Sequence, residues 1–463
     1  MRLSLGFVSE VLYGRTATAL DDVAVLRCVV DSRQAEPGSL FFAFRGELAD
    51  GQHYAADALA RGAVGAVVRR EGAYAAAEPF RLGNGWVLPV AGVPAALQEL
   101  AGAWGARCPA RVVGITGSVG KTVTREVVSA VLGQRFRVLQ SERNYNNEIG
   151  LPLTMLSMTA EHEYAVLEMG MYALGEIEAL ARLARPTVGV VTNVGPTHLE
   201  RLGSLEAIAQ AKSELVQSLP ATGLAVLNGD DDRVRAMASL TSAPSVRFGL
   251  GPGCEVRAAQ VSPLGVDGIE FAVESDWGSR RLTSPLLGRH SAYACLAAAA
   301  VALCEGLSWD QIEHGLLSGG TGQRLRVVEA GDIRLLDDSY NAAPVSVLAA
   351  LEVLKDMPGR RVAVLGDMLE LGALSEEGHR QVGRAVPAAA DFLIAVGPNA
   401  RLLVDEAAGL MAPEAVRHFA SGDEAVRLVP SLLAPGDVVL VKGSRGMRLE
   451  RLCQAVALGT TRP

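Results

Sequence analysis

The chain alternates between two patterns of apolar positions. Short, mostly apolar strand-like runs occupy residues 112–116, 164–169, 188–194 and 224–228, and a second series occupies 333–337, 362–366, 392–397 and 438–441. Runs of this length with little polar interruption predict strands of parallel sheets covered on both faces. The stretches between them carry apolar residues at helical spacing, so the rhythm is βα, repeated in two series. Between the series, residues 249–285 are rich in glycine, proline and alternation, which predicts a hairpin appended to the first sheet. Residues 1–109 mix short strands near 39–44 and 63–68 with alanine-rich helices. The longest apolar run, Tyr293 to Cys304, is mostly alanine and well short of the roughly 20 residues that a spanning helix needs. It predicts a buried helix.

Breaks in this pattern divide the chain. One falls at Cys108-Pro109, before the first run. Another falls in Ser318-Gly319-Gly320-Thr321-Gly322, where clustered glycines suit a hinge. Domains are therefore expected at 1–109, 110–318 and 319–463, in keeping with roughly 150 residues per domain in a chain of 463. The expected fold class is α/β in three domains: a small α/β domain, a central P-loop domain on a parallel sheet, and a C-terminal Rossmann-like α/β domain. Lys and Arg total 43 against 51 Asp and Glu, a formal net charge of −8 that argues against general binding of nucleic acid or anionic membranes. Six cysteines are scattered without a CxxC pair, which argues against a zinc site and a disulfide framework. Glu10 interrupts the N-terminus before any apolar stretch long enough for a signal peptide. A cytoplasmic, soluble, multidomain protein is expected.

The sharpest motif is Gly114-Ile115-Thr116-Gly117-Ser118-Val119-Gly120-Lys121-Thr122. It follows an apolar run and leads into helical spacing with apolar residues at 123, 127, 128, 131 and 132, the setting that a phosphate-binding loop requires. Glycines let backbone N–H groups turn inward around phosphate oxygens, and the helix N-terminus adds partial positive charge. Lys121 would reach the β- and γ-phosphates, and the Thr122 hydroxyl would bind Mg²⁺. The spacing departs from Gly-x4-Gly-Lys, because Ile115 stands where that pattern has glycine. A glycine-rich turn that binds nothing is the competing reading, and Gly-Lys-Thr in a strand–loop–helix setting weighs against it. This is a nucleoside triphosphate site.

Three further groups fall near it. Glu168 closes an apolar run at the sheet edge where open α/β folds bind ligands, and Mg²⁺ takes hard oxygen ligands there. The alternative for Glu168 is a solvated strand-end carboxylate. His198, in Asn193-Val194-Gly195-Pro196-Thr197-His198, follows the next run and lands on the same edge; a loop histidine alone is equally well read as structural or exposed. Lys212 falls on the stripe Leu205, Ile208, Leu215, Leu219 of a helix predicted over 204–219. A lysine on an inward face snorkels, pairs or is chemically altered. Carbamylation by CO2 would turn it into a carboxylate-like anion for a metal and remove the buried positive charge.

Together these residues resemble the Mur ligase family of ATP-dependent acid–amine ligases, and the resemblance covers nearly the whole chain in the family's order. Asp31-Ser32-Arg33, Pro37-Gly38-Ser39-Leu40-Phe41 and Gly46 through Asp50-Gly51 are similar to its uridine-nucleotide domain. Thr116 to Thr122 resembles the family's ATP loop, whose spacing departs from the common one in the same way. Asn146-Asn147-Glu148-Ile149-Gly150, Gly366-Asp367-Met368-Leu369-Glu370-Leu371-Gly372 and Val441-Lys442-Gly443-Ser444-Arg445 look like the dipeptide-adding branch. Leu167-Glu168-Met169-Gly170 and Gly195-Pro196-Thr197-His198 resemble the magnesium segments, and Ala211-Lys212-Ser213-Glu214 the segment with a carbamylated lysine. Arg324-Leu325 and Asp337-Asp338-Ser339-Tyr340-Asn341 resemble the ATP-contacting start of the third domain. Gln52 stands where the family commonly has histidine, and around Gly288-Arg289-His290 its usual asparagines give way to Ser291 and Tyr293.

The resemblance implies that ATP phosphorylates the terminal carboxylate of UDP-MurNAc-tripeptide and that the amine of D-Ala-D-Ala attacks the acyl phosphate. It implies an ATP loop of Thr116, Gly117, Ser118, Val119, Gly120, Lys121 and Thr122. It also implies two Mg²⁺ ions, one on Thr122 and Glu168, the other on His198 and carbamylated Lys212. Asn147 and Glu148 would position the γ-phosphate and metals. Arg324, Asp338, Tyr340 and Asn341 would bring the third domain onto ATP. Ser32, Arg33, Gly46 and Asp50 would take the uridine end of the substrate, and Lys442, Ser444 and Arg445 the dipeptide side. A monomer without nucleic-acid partner or membrane insertion is expected. Two other readings stay open: a sister ligase adding a single amino acid or glutamate to folate, and a nucleotide-operated switch, although no Asn-Lys-x-Asp guanine motif is present.

Overall fold

Each of these apolar runs becomes a strand in the computed structural model, which describes all residues except Met1, Arg2, Thr16, Ala17, Glu47, Leu48, Arg143, His198, 320–324 and 460–463. His198 and Arg324, two expected site residues, therefore lie outside the described residues. Among those described, the strands form three sheets. The first holds β1 (Arg27–Val29), β2 (Ser39–Phe42), β3 (Gly65–Arg69), β4 (Phe80–Leu82) and β5 (Gly85–Val90), in the order β1-β2-β3-β5-β4.

The central sheet begins with β6 (Arg111–Thr116), β7 (Val138–Gln140), β8 (Tyr164–Glu168), β9 (Val188–Val191), β10 (Leu224–Asn228) and β11 (Ser245–Gly249), all parallel. Residues 249–285, expected as a hairpin, hold three strands instead: β12 (Val256–Pro263), β13 (Ile269–Ser275) and β14 (Gly278–Ser284). β12 pairs parallel with β11, and the next two pairings are antiparallel. The extra strand escaped the sequence pattern because β14 is exposed over its first half and carries polar residues there. The whole order is β14-β13-β12-β11-β10-β9-β6-β8-β7. Chain progression thus reverses at β6, flanked by β9 on one side and β8 on the other, and the crevice outside such a reversal is where open α/β sheets bind ligands.

Two cores sandwich this sheet. On one face the helix Lys121–Leu132 packs with Ala292–Cys304, the long alanine-rich run, which is buried almost throughout. The other face shares its core with the first unit: Leu97, Leu100 and Trp104 of the helix Val93–Gly105 meet Leu151, Ile177 and Leu215. The Trp104 indole N–H donates to the Met158 carbonyl at 3.0 Å, satisfying the one polar atom of a buried ring.

The third sheet holds β15 (Arg326–Ala330), β16 (Ile333–Asp338), β17 (Arg360–Gly366), β18 (Phe392–Val396), β19 (Val416–Phe419) and β20 (Asp437–Lys442), in the order β15-β16-β20-β17-β18-β19. All its pairs are parallel except β15 with β16. Leu287 of the central unit is buried within the core of this third unit, so the two are packed together and not merely tethered. No described helix is long and apolar enough to cross a membrane.

Candidate active site

The loop from Thr116 to Thr122 owes its shape to two glycines. Gly117 has φ +151°, and a Cβ there would collide with Thr192 Oγ1; Gly120 has φ +87° and opens the helix Lys121–Leu132. The loop is braced from β9 and the segment that follows it. Asn193 accepts from the Val119 N–H at 2.9 Å and donates back to the Val119 carbonyl at 2.9 Å, while Thr192 Oγ1 donates to the same carbonyl at 2.7 Å. Thr116 is fully buried, and its hydroxyl donates to the Met169 carbonyl at 2.9 Å, tying β6 to β8. Lys121 folds its ammonium against the loop, donating to the Gly117 carbonyl at 2.6 Å and the Ser118 carbonyl at 3.3 Å.

Glu168 sits 2% exposed at the end of β8, beside the loop. Thr122 Oγ1 donates to Glu168 Oε2 at 3.0 Å, and Asn146 Nδ2 donates to Glu168 Oε1 at 2.8 Å. Arg125, one helical turn beyond Thr122 and itself 2% exposed, brings Nη1 to 3.7 Å from Oε2. Asn146 and Arg125 were not legible as site residues in the sequence, because their common partner lies far from both along the chain. A metal fits this place only under restriction. Among the described residues no three His, Cys, Asp or Glu side chains cluster as a metal cage. One hydroxyl and one carboxylate suit an ion that takes its other ligands from phosphate and water, as Mg²⁺ does.

Two cavities meet at this loop. The larger, about 1020 Å³, runs from Ser118–Thr122 across to the third unit. Its far wall carries Asp338, Tyr340, Asn341, Lys442, Ser444 and Arg445. Lys442 Nζ donates to Asp338 Oδ2 at 2.5 Å and to the Asn341 carbonyl at 2.9 Å, a buried and fully engaged pair. The Arg445 guanidinium lies 5.3 Å from the Tyr340 ring centroid, a cation–π contact. Ser444 Oγ accepts from the Leu369 N–H at 2.8 Å, fixing the segment 366–372 at the cavity's edge.

The second cavity, about 780 Å³, is lined by Asn147, Glu148 and Lys212 on the side of the first unit. Lys121 and Tyr172 line both cavities. Lys212 is 2% exposed on the inward face of the helix Leu205–Gln217, whose N-cap Ser204 accepts from the Ala207 N–H at 3.1 Å. Burial, and next the nearby Lys121 charge, push its amine pKa well below the usual lysine value. Lys212 is nearly fully buried yet lines the second cavity, and among the described residues no hydrogen bond or ion pair to its ammonium is found.

Ser32, Arg33, Gly46 and Asp50 belong to the first unit and line neither cavity. Arg33 is exposed and pairs with Asp31 at 2.6 Å; Asp50 pairs with Arg69 at 2.7 Å, whose guanidinium holds the Asp50 carboxyl below the usual carboxylate range. Gln52 accepts from the Arg69 N–H at 3.2 Å.

Comparison with known proteins gives a consistent result. Residues 27–104 match the family model "Mur ligase family, catalytic domain", 115–302 the "Mur ligase middle domain", and 323–445 the "Mur ligase, glutamate ligase domain". The chain is 36% identical over 460 residues to the UDP-N-acetylmuramoyl-tripeptide–D-alanyl-D-alanine ligase of Escherichia coli K12, covering 98% of each. A crystal structure of MurF from Acinetobacter baumannii is similar at a TM-score of 0.86 and 28% identity over 99% of both chains. The MurF ligase of Thermotoga maritima, solved in complex with ADP, is similar at a TM-score of 0.80 and 26% identity, covering 95% of this chain and 99% of that one.

Proposed function

The chain belongs to the Mur ligase family, and we propose that it joins D-alanyl-D-alanine to the terminal carboxylate of UDP-N-acetylmuramoyl-tripeptide in an ATP-dependent reaction, giving the pentapeptide precursor of peptidoglycan. The observation that carries this reading is that Lys121 lines both cavities. Nucleotide in the larger cavity would present its γ-phosphate at the junction, and an acid in the smaller one would approach it from the opposite side. A carboxylate oxygen then attacks the γ-phosphorus, the bond to the β-phosphate oxygen breaks, and ADP leaves. The uncharged amine of the dipeptide attacks the acyl carbon, and the tetrahedral intermediate expels inorganic phosphate as nitrogen loses a proton.

Bringing one anion onto another needs concentrated positive charge. Lys121 supplies part of it once its ammonium leaves the loop carbonyls for the phosphates. Thr122 and Glu168 would hold one Mg²⁺ and His198 and Lys212 a second, and these ions when bound would neutralise the charge that develops on the transferred phosphoryl oxygens. His198 has this role from family resemblance alone, as Arg324 has its ATP contact. Carbamylation of Lys212 is supported by its chemistry: only an uncharged amine attacks CO2, and burial beside Lys121 favours that form. Asn147 and Glu148 are assigned to the γ-phosphate, and Ser118, Val119, Gly120, Asp338, Tyr340 and Asn341 to ATP. Ser32, Arg33, Gly46 and Asp50 are assigned to the uridine nucleotide, and Lys442, Ser444 and Arg445 to the dipeptide side. On this reading residues 1–109 bind the UDP substrate, 110–318 bind ATP, and 319–463 bind the dipeptide and close on ATP, in a cytoplasmic monomer.

The deciding experiment is phosphate release from ATP with UDP-MurNAc-tripeptides that differ at the third residue. Release is expected only with D-Ala-D-Ala as acceptor. Turnover with a single amino acid would favour a sister ligase, and turnover without any acceptor a nucleotide switch.

A further inference from the structure

The two oxygens of Glu168 are engaged differently. Oε2 accepts from Thr122 Oγ1 at 3.0 Å and faces Arg125 Nη1 at 3.7 Å, whereas Oε1 accepts from Asn146 Nδ2 at 2.8 Å. Beside an ionised carboxylate, which only accepts, the Asn146 amide must present its NH2. The Asn146 backbone is held on both sides, while its side chain lines the second cavity. Its own N–H donates to the Asn144 carbonyl at 2.8 Å, its carbonyl accepts from the Gly170 N–H at 2.8 Å, and a Cβ at Gly170 would stand 3.1 Å from its side-chain Cγ.

We propose that Asn146 is a positioning residue that confines Glu168 to one-oxygen coordination and thereby selects Mg²⁺ over Ca²⁺ for the bound nucleotide. The inference rests on the reading in which Glu168 binds the nucleotide's cation. Mg²⁺ holds six ligands in an octahedron at about 2.0–2.1 Å and accepts a carboxylate through one oxygen; Ca²⁺ takes six to eight ligands at about 2.3–2.6 Å and is often chelated by both. With Oε1 tied to the amide, Glu168 offers Oε2 alone beside the Thr122 hydroxyl. Release of Oε1 would let the carboxylate rotate and chelate the larger ion. Arg125 complements the amide: it places a buried positive charge 3.7 Å from Oε2, beyond hydrogen-bond distance, and so leaves that oxygen open to a cation.

Binding of β,γ-methylene-ATP to the full-length chain, measured by calorimetry in Mg²⁺ and separately in Ca²⁺, tests this without turnover. Asn146→Ala is expected to weaken Mg²⁺-supported binding about tenfold while Ca²⁺-supported binding stays level or tightens, since outer ligand partners commonly contribute that much. Asn146→Ser, which loses less volume, is expected to shift the ratio in the same direction and serves if the alanine variant does not fold. Equal weakening in both cations, or no change in either, overturns the proposal. Glu168→Gln separates the two levels. Loss of cation-dependent binding in that variant supports the reading of the site, and full retention overturns both that reading and this inference.

Discussion

At the scale of single residues, Lys212 sets function against stability. The residue is 2% exposed and its amine pKa is pushed well below the usual value, first by burial and then by Lys121. Between the folded and unfolded pKa values the unfolded chain binds a proton that the folded chain lacks, so stability rises with pH across that window. At neutral pH the buried lysine therefore costs stability, and the cost fades as pH approaches about 10.4, the ordinary lysine value. Lys212→Met in CO2-free buffer should stabilise the protein at pH 7.5, with the gain shrinking toward pH 10.5, as followed by thermal unfolding. The same variant should lose nearly all ligase activity, and bicarbonate should not restore it. A destabilised variant, or one with ordinary turnover, would contradict this account. The sequence exposed this residue because a lysine interrupts an apolar stripe. It hid Asn146 and Arg125, whose roles exist only once β8 brings Glu168 between them.

At the scale of elements, the helix Lys121–Leu132 positions the loop, and its backing decides how well. Residues Val127, Val128 and Val131 are buried against Ala292–Cys304 and against the helix Trp309–Ser318. Gly315 lies where that last helix comes closest, and a Cβ there would collide with the Val131 backbone. Gly315→Ala should destabilise the fold by about 1–3 kcal/mol through overpacking. Because the displaced helix carries Lys121 and Thr122, it should also raise the KM for ATP more than it lowers kcat; a changed Tm with unchanged KM would show that the loop is held from β9 alone. The apolar runs were readable as strands because the inner strands β6, β8, β9, β10, β17, β18 and β20 are covered on both faces, which leaves few polar positions to blur them. The short outer strands β7 and β15 are half-exposed, and β14 is polar over its first half, so their sequences carry no such run. Gly315 could not be recognised either, since a glycine inside a helix declares its purpose only when its neighbour is known.

At the scale of the whole molecule, the site exists only where separate units face one another. The phosphate loop and the Asp338–Lys442 pair stand on opposite walls of a cavity of about 1020 Å³, at the upper end of the roughly 300–1,000 Å³ typical for small-molecule sites. The third unit is anchored to the central one by Leu287, buried in its core, and by Gly372, whose backbone lies against Glu200. Rotation of the third unit about these anchors would narrow the cavity and exclude water from an acyl phosphate that water destroys. A compact globule of 463 residues has a radius of gyration of about 23 Å, which a three-unit chain with an open cleft should exceed. Small-angle scattering should therefore give a larger radius for the free protein, a small decrease with β,γ-methylene-ATP and Mg²⁺, and the full decrease, about 1–2 Å, only when UDP-MurNAc-tripeptide is added as well. The dependence on the acid is the informative part: closure driven by nucleotide alone would expose ATP to hydrolysis without an acceptor, whereas closure that waits for both commits the phosphoryl group only when a carboxylate is in line to receive it. An unchanged radius under all three conditions would mean that the cavity's present width is the reacting one, with water excluded by the substrates themselves.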